Sequence, residues 1–221
     1  MRRFFGKGVL NDGFALVYGT IIDSRLMTPN PEQFRFAKTF RDGRIIKLTG
    51  PSGNMMGDCE IRAASYLVNT IGPHRKNPIT VIDDQSSLKD LNRTFVSFGS
   101  PSSNEISELV IREPANLYLE FGQDQDGGFI RDKRTTQKFY GFKGPIKKDY
   151  GMILKIPNQR FPGHYFFVCA GLGEWGTSGA TWYIAQKWNE LPKNKNGFGI
   201  IVEIELNSDS SARQIFPENV S

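Results

Sequence analysis

The sequence predicts an α/β domain built in three layers, with a mostly parallel sheet and helices on both faces. Three observations point there. Strand-like and helix-like segments alternate at both ends of the chain. Several strand segments are continuous apolar runs, the pattern of strands buried on both faces. Glycine- or serine-rich turns join strand to helix at Gly99–Glu105 and again at Gly171–Ser178.

The elements follow in order. Phe14–Ile22 is an apolar run ending at Asp23 and reads as a buried strand, with Gly19 marking a bend or close approach. Residues 24–57 are polar and rich in Pro and Gly, with a short strand at Arg44–Leu48. Asp58 can cap a helix that sets Ile61, Ala64, Val68 and Ile71 on one face, and Gly72-Pro73 ends it. Pro78–Asp83 and Thr94–Phe98 are the next strands. Ser102 and Glu105 have capping-box spacing, so a helix opens there, limited by Pro114.

The middle of the chain changes character. Leu117–Phe121, Gln137–Phe142 and Tyr150–Ile156 are β-rich, separated by Gly127-Gly128 and Lys143-Gly-Pro145. They predict an antiparallel β-meander, inserted or added over about 115–160. His164–Cys169 is then a buried strand, Thr177–Glu190 a helix and Phe198–Leu206 a last strand. The polar tail over 208–221 reads as loosely held.

The chain has 221 residues, 38% of them hydrophobic, which suits a single domain over 1–221. No segment has the roughly 20 apolar residues that cross a bilayer. Met1–Gly6 lacks the apolar run of a signal peptide. Two cysteines, Cys59 and Cys169, suit a reducing, cytoplasmic setting. With His74 and His164 they are too widely spaced for a zinc motif, so no metal is expected. The net charge is +5, spread along the chain. No basic stripe interleaved with aromatics appears, so nucleic acid is not expected as a partner. Oligomeric state is not readable.

In open α/β sheets, ligands bind beyond the carboxyl ends of the strands. Tyr18–Asp23, Asp83-Asp84, Gly99–Glu105 and Gly171–Ser178 should converge there. The last holds a literal Gly-x-Gly-x-x-Gly at Gly171, Gly173 and Gly176, followed by Thr177. Small residues allow close backbone approach, and free N–H groups at a helix start favour an anion. Glu174 and Trp175 inside the loop oppose a plain pyrophosphate and favour a ligand with a hydrogen-bond donor or an aromatic face. No cofactor is assigned.

The second turn offers Gly99, Ser100, Ser102, Ser103 and Asn104 as ligand-binding groups, or as caps. Tyr150 is a further candidate. Asp83, Asp84, Glu105 and Glu174 are the candidate acids and bases. Cys169 and His164 read as structural.

Two resemblances attach to these motifs. Gly57–Ala63, Phe98–Asn104, Asp149–Gly151 and Ala170–Thr177 look like the motif series of a group of uncharacterised bacterial α/β proteins. More loosely, Gly50–Gly57 and Gly171–Thr177 are similar to the two glycine motifs of the LOG-like (SLOG) Rossmannoid superfamily. That similarity implies a Rossmann-like three-layer sandwich and a nucleotide-type ligand; some members hydrolyse N-glycosidic bonds. Catalytic members carry an acid shortly after the Gly-Thr pair, where this chain has Ser178-Gly-Ala-Thr-Trp182. Three functions stay open: a binder of a small anionic or nucleotide-like ligand, a nucleotide- or nucleoside-processing hydrolase, and an interaction module using the meander.

Overall fold

The computed structural model describes residues 1–19, 58–141 and 148–217 in full, and 34–39 and 45–50 as backbone strands. The expected strand residues Thr20–Asp23 and the glycine motif over 51–57 lie outside the described residues. In chain order the elements are α1 (Arg2–Phe5), β1 (Phe14–Tyr18), β2 (Phe34–Thr39), β3 (Ile45–Gly50), α2 (Asp58–Ile71), β4 (Thr80–Asp83), α3 (Asp84–Ser87), β5 (Thr94–Phe98) and α4 (Glu105–Arg112). They continue with β6 (Leu119–Asp124), β7 (Gly127–Asp132), β8 (Lys138–Tyr140), β9 (Lys148–Pro157), β10 (Tyr165–Gly171), α5 (Glu174–Lys187), β11 (Phe198–Glu205) and β12 (Ser208–Phe216).

The domain is α/β, and its main sheet is mixed rather than mostly parallel. Seven strands run in the order β12-β11-β9-β10-β5-β1-β4. The pairs β4/β1, β1/β5 and β5/β10 are parallel. The pairs β10/β9, β9/β11 and β11/β12 are antiparallel. The apolar runs revealed burial on both faces, but direction depends on connections. Only the seven residues 158–164 separate the end of β9 from the start of β10, so these two strands return on each other.

Alternate residues of each central strand feed two apolar clusters on opposite faces. Phe14, Leu16, Phe98 and Phe167 join Leu67 of α2 and Ile184 of α5. Ala15, Val17, Phe95 and Phe166 join Ile106 and Val110 of α4. At the β5/β10 junction Phe95 and Phe166 stack at 5.9 Å between centroids.

Four sequence expectations need correction. Tyr150–Ile156 is not part of the meander; as β9 it stands inside the main sheet. The meander is β6-β7-β8, and its middle strand begins at the Gly127-Gly128 pair read as a separator. The polar tail is ordered over Ser208–Phe216 as edge strand β12, joined to β11 by a tight turn in which Asn207 takes φ 67°. Helix α2 buries Glu60, Ala63, Leu67 and Ile71, while Ile61 and Val68 are exposed. The buried stripe includes an acid because the Glu60 carboxylate accepts the Gly19 N–H at 3.3 Å beyond the end of β1. Among the described residues no helix is long and apolar enough to cross a membrane.

One core residue is out of keeping. Lys155 of β9 is fully buried among Phe4, Tyr165, Phe167 and Phe198. Its Nζ lies 4.2 Å from the Tyr165 ring centroid and donates to the Asn194 carbonyl at 3.5 Å. Burial pulls its pKa down from 10.5 to about 8. The unfolded chain therefore binds more protons than the folded one between those values, and this residue's contribution to stability rises with pH across the window. Against a Lys155→Met variant, wild type should gain up to roughly 3 kcal/mol between pH 7 and pH 10.5. Urea denaturation of both proteins over that range checks it; parallel pH profiles would contradict it.

Candidate functional site

The glycine turn after β10 is held by close backbone contact. A methyl group on Gly171 would overlap Gly176 Cα and Thr177 N, and one on Gly176 would overlap the Tyr150 carbonyl. Only glycine lets the start of α5 approach β9 and β10 so closely. Thr177 serves the turn, its Oγ1 accepting the Gly171 N–H at 2.9 Å.

The amides at this helix start do meet an anion, and it belongs to the chain. Asp149, at the start of β9, is buried. Its Oδ1 accepts the N–H groups of Gly173 at 3.1 Å and Tyr150 at 2.7 Å, and its Oδ2 accepts that of Gly176 at 2.6 Å. Burial pushes its pKa above the usual carboxylate range; the three amides pull it back only in part. The cradle read from Gly173 and Gly176 is thus filled from within. A ligand phosphate would meet the Asp149 carboxylate rather than open amides there.

Two cavities flank this turn. The larger, about 690 Å³, lies at the carboxyl ends of the neighbouring strands β5 and β10. Its walls include Ser100 and Ser102 of one predicted turn and Gly171 and Leu172 of the other, with Phe121 and Gly128 from the meander. The smaller, about 500 Å³, is lined by Gly128, Asp149, Leu172, Gly173, Glu174 and Trp175 among others. Leu172 and the Gly128 hairpin belong to both.

The serine turn is shaped locally. Gly99 takes φ 94°, and a Cβ there would lie 2.8 Å from Ser103 Oγ. The helix cap is Asn104, not Ser102: its Oδ1 accepts the Ser107 N–H at 3.0 Å and its Nδ2 donates to the Phe98 carbonyl at 2.9 Å. The two ends of the amide serve the two partners at once. Ser102 is left exposed, sharing a 2.7 Å hydrogen bond with Ser100 at the cavity wall.

The predicted acids divide. Asp83 caps α3, accepting the Ser86 N–H at 2.7 Å, and this bonding holds its pKa below the usual range even though burial acts the other way. Asp84 is fully buried and accepts the Glu105 N–H at 2.8 Å. Glu105 in turn accepts from Gln85. Asp84 and Glu105 tie α3 to the start of α4, and none of the three acids lines either cavity. Glu174 is exposed on the rim of the smaller cavity. Tyr150 turns away: its hydroxyl donates to Glu203 at 3.4 Å and its ring packs on Phe139. Trp175 lies under Arg62, whose guanidinium stands 4.3 Å from its ring centroid while bonding Asp209 and Ser178. Cys169 is buried, its thiol pushed up to about 12 by burial.

The sequence reading missed the charged lining of the larger cavity: Glu108 and Arg112 of α4, Glu120 of β6 and Lys133. Glu108 pairs with Arg112 at 2.8 Å, and Glu120 pairs with Arg131. The i, i+4 spacing of Glu108 and Arg112 was a visible signal of a charged helix face, though not of where that face points. Among the described residues no group of acids, cysteines and histidines could hold a metal ion. Comparison with protein-family models, with curated proteins and with solved structures gives no match for this chain.

An Asp149→Ala variant leaves buried amides without an acceptor and should lose about 2–4 kcal/mol. Formate, a small carboxylate, should then raise the melting temperature of the variant more than that of wild type. Equal formate effects on both proteins would remove Asp149 from its place as the internal anion.

Proposed function

We propose that this chain binds a nucleotide-type small molecule in the cavity between the serine turn, Leu172 and the meander. One observation supports this above the rest: the two glycine- and serine-rich turns meet in a single cavity of about 690 Å³ at the carboxyl ends of adjacent parallel strands. Sites of that size and place are where open α/β sheets hold small ligands. The parallel strands β4-β1-β5-β10 follow a doubly wound order, in keeping with a Rossmann-like ancestry for that half of the sheet.

The lining assigns roles. Ser100 and Ser102 offer hydroxyls to a sugar, and Glu108 and Glu120 offer acceptors to its hydroxyls or to a base. Phe121 gives an apolar face for a ring. Arg112 and Lys133, not the glycine turn, are the groups for a phosphate. The Asp149-filled turn leaves the Leu172 side of the cavity to the uncharged part of the ligand. A hydrolase would draw its acid and base from Glu108 and Glu120, since Asp83, Asp84 and Glu105 lie elsewhere.

A thermal-shift screen with nucleosides, mononucleotides, NAD and cyclic dinucleotides at millimolar concentration tests this. A ligand at a hundred times its Kd stabilises by roughly 2.7 kcal/mol, a shift of several degrees. Phe121→Ala and Arg112→Glu should each weaken a hit by about tenfold, equivalent to about 1.4 kcal/mol. A screen in which no compound raises the melting temperature would overturn the reading and favour an interaction module. Product formation from a hit would move the reading to the hydrolase.

A further inference from the structure

A third cavity, unrelated to the other two, lies at the opposite end of β10. It measures about 700 Å³, between α1, the turn that joins β9 to β10, and the loop after α5. Arg2, Arg3, Lys7, His164, Lys193 and Lys195 all line it, and no carboxylate does so among the described residues. Arg2, Arg3, Lys7, Lys193 and Lys195 are exposed and form no ion pair among the described residues.

The backbone builds this convergence. Gly6 takes φ 96° and Gly163 φ 95°, and the Lys7 N–H donates to the Gly163 carbonyl at 3.2 Å. A Cβ on Gly6 would lie 2.8 Å from that carbonyl, so the approach needs glycine. It sets the cations of the first turn against His164 and the 193–195 loop. Tyr165 forms part of the wall, and the buried ammonium of Lys155 lies 4.2 Å from the centre of its ring. The charge behind the wall has the same sign as the charge on the rim. Asp90, which acts on His164 from one side, is engaged by Arg93.

We propose that this cavity is a binding site for a small molecule carrying several phosphate groups. Five uncompensated cations around one concavity repel one another, and a compact polyanion relieves that repulsion. Guanidinium forks donate paired N–H bonds to phosphate oxygens, and lysines add charge at their edge. An open concavity of about 700 Å³ suits a small oligophosphate. A nucleic acid backbone would ask for an extended basic track with interleaved aromatics, which the sequence does not carry.

Titration calorimetry of the full chain with inorganic tripolyphosphate tests this at two salt concentrations. Binding should weaken several-fold as salt rises. The Lys193→Glu/Lys195→Glu and Arg2→Glu/Arg3→Glu double variants should each weaken it by about tenfold or more. A Lys76→Glu/Lys138→Glu variant, with the same change in net charge elsewhere, should retain it. No measurable binding, or equal loss in all three variants, would overturn the site. Tighter binding of a single-stranded oligonucleotide than of tripolyphosphate, abolished by the same cavity variants, would overturn it in favour of a nucleic-acid surface. The first cavity shares none of these residues, so the two sites stand or fall apart.

Discussion

The carboxylate of Asp149 lies where the amides of Gly173 and Gly176 converge, and much of the architecture follows from that meeting. It ties the first turn of α5 to the start of β9, and so to the centre of the main sheet. Close contact among Gly151, Gly171 and Gly176 makes the meeting possible. Helix α5 then covers one face of the sheet and reaches β12, whose Asp209 accepts from Ser178, Arg62 and Tyr66. Two buried aspartates thus anchor α5, one at each side of its first turns. A loop with the spacing of a phosphate cradle here serves as a joint.

Much of this fold could be read in the residues, and the limits have physical causes. Phe14–Tyr18, Thr94–Phe98 and Tyr165–Gly171 were legible as strands because burial on both faces demands unbroken apolar runs. The antiparallel direction of β9 was read too, but its neighbours were not, because a buried strand looks the same in sequence whichever strands it lies between. Helix α2 was legible as a helix, but its buried face was not: Glu60 goes inward to meet a backbone N–H, against the hydrophobic pattern. The Ser208–Phe216 strand was hidden by its polar surface, as edge strands often are.

The candidate site was legible by place and not by chemistry. Turns at the ends of β5 and β10 meet because those strands are neighbours, a matter of topology that the alternation of elements foreshadows. The partner of the glycine turn sits 24 and 27 residues earlier in the chain, and no local pattern signals it. The acids at Asp83, Asp84 and Glu105 were conspicuous beside a strand end, yet backbone amides at two helix starts had the first claim on Asp83 and Asp84, and the Gln85 side chain on Glu105. The basic cavity escaped notice for another reason: its cations come from three separated segments, and no local pattern shows that these meet.

The sheet has a seam. Strands β9 to β12 form an antiparallel set drawn from residues 148–216, with turns joining β9 to β10 and β11 to β12 and helix α5 carrying the chain from β10 to β11. Strands β1, β4 and β5 form a parallel set drawn from 14–98, each link needing a crossover. Among the described residues only the β5/β10 pairing joins the two sets. The antiparallel set has the lower contact order of the two, so chain entropy favours its assembly first, as a template on which β5 docks. Slippage at that one docking step by a single residue would turn Phe95 and its neighbours to the wrong face. The fidelity of the whole sheet therefore rests on a single strand-to-strand register.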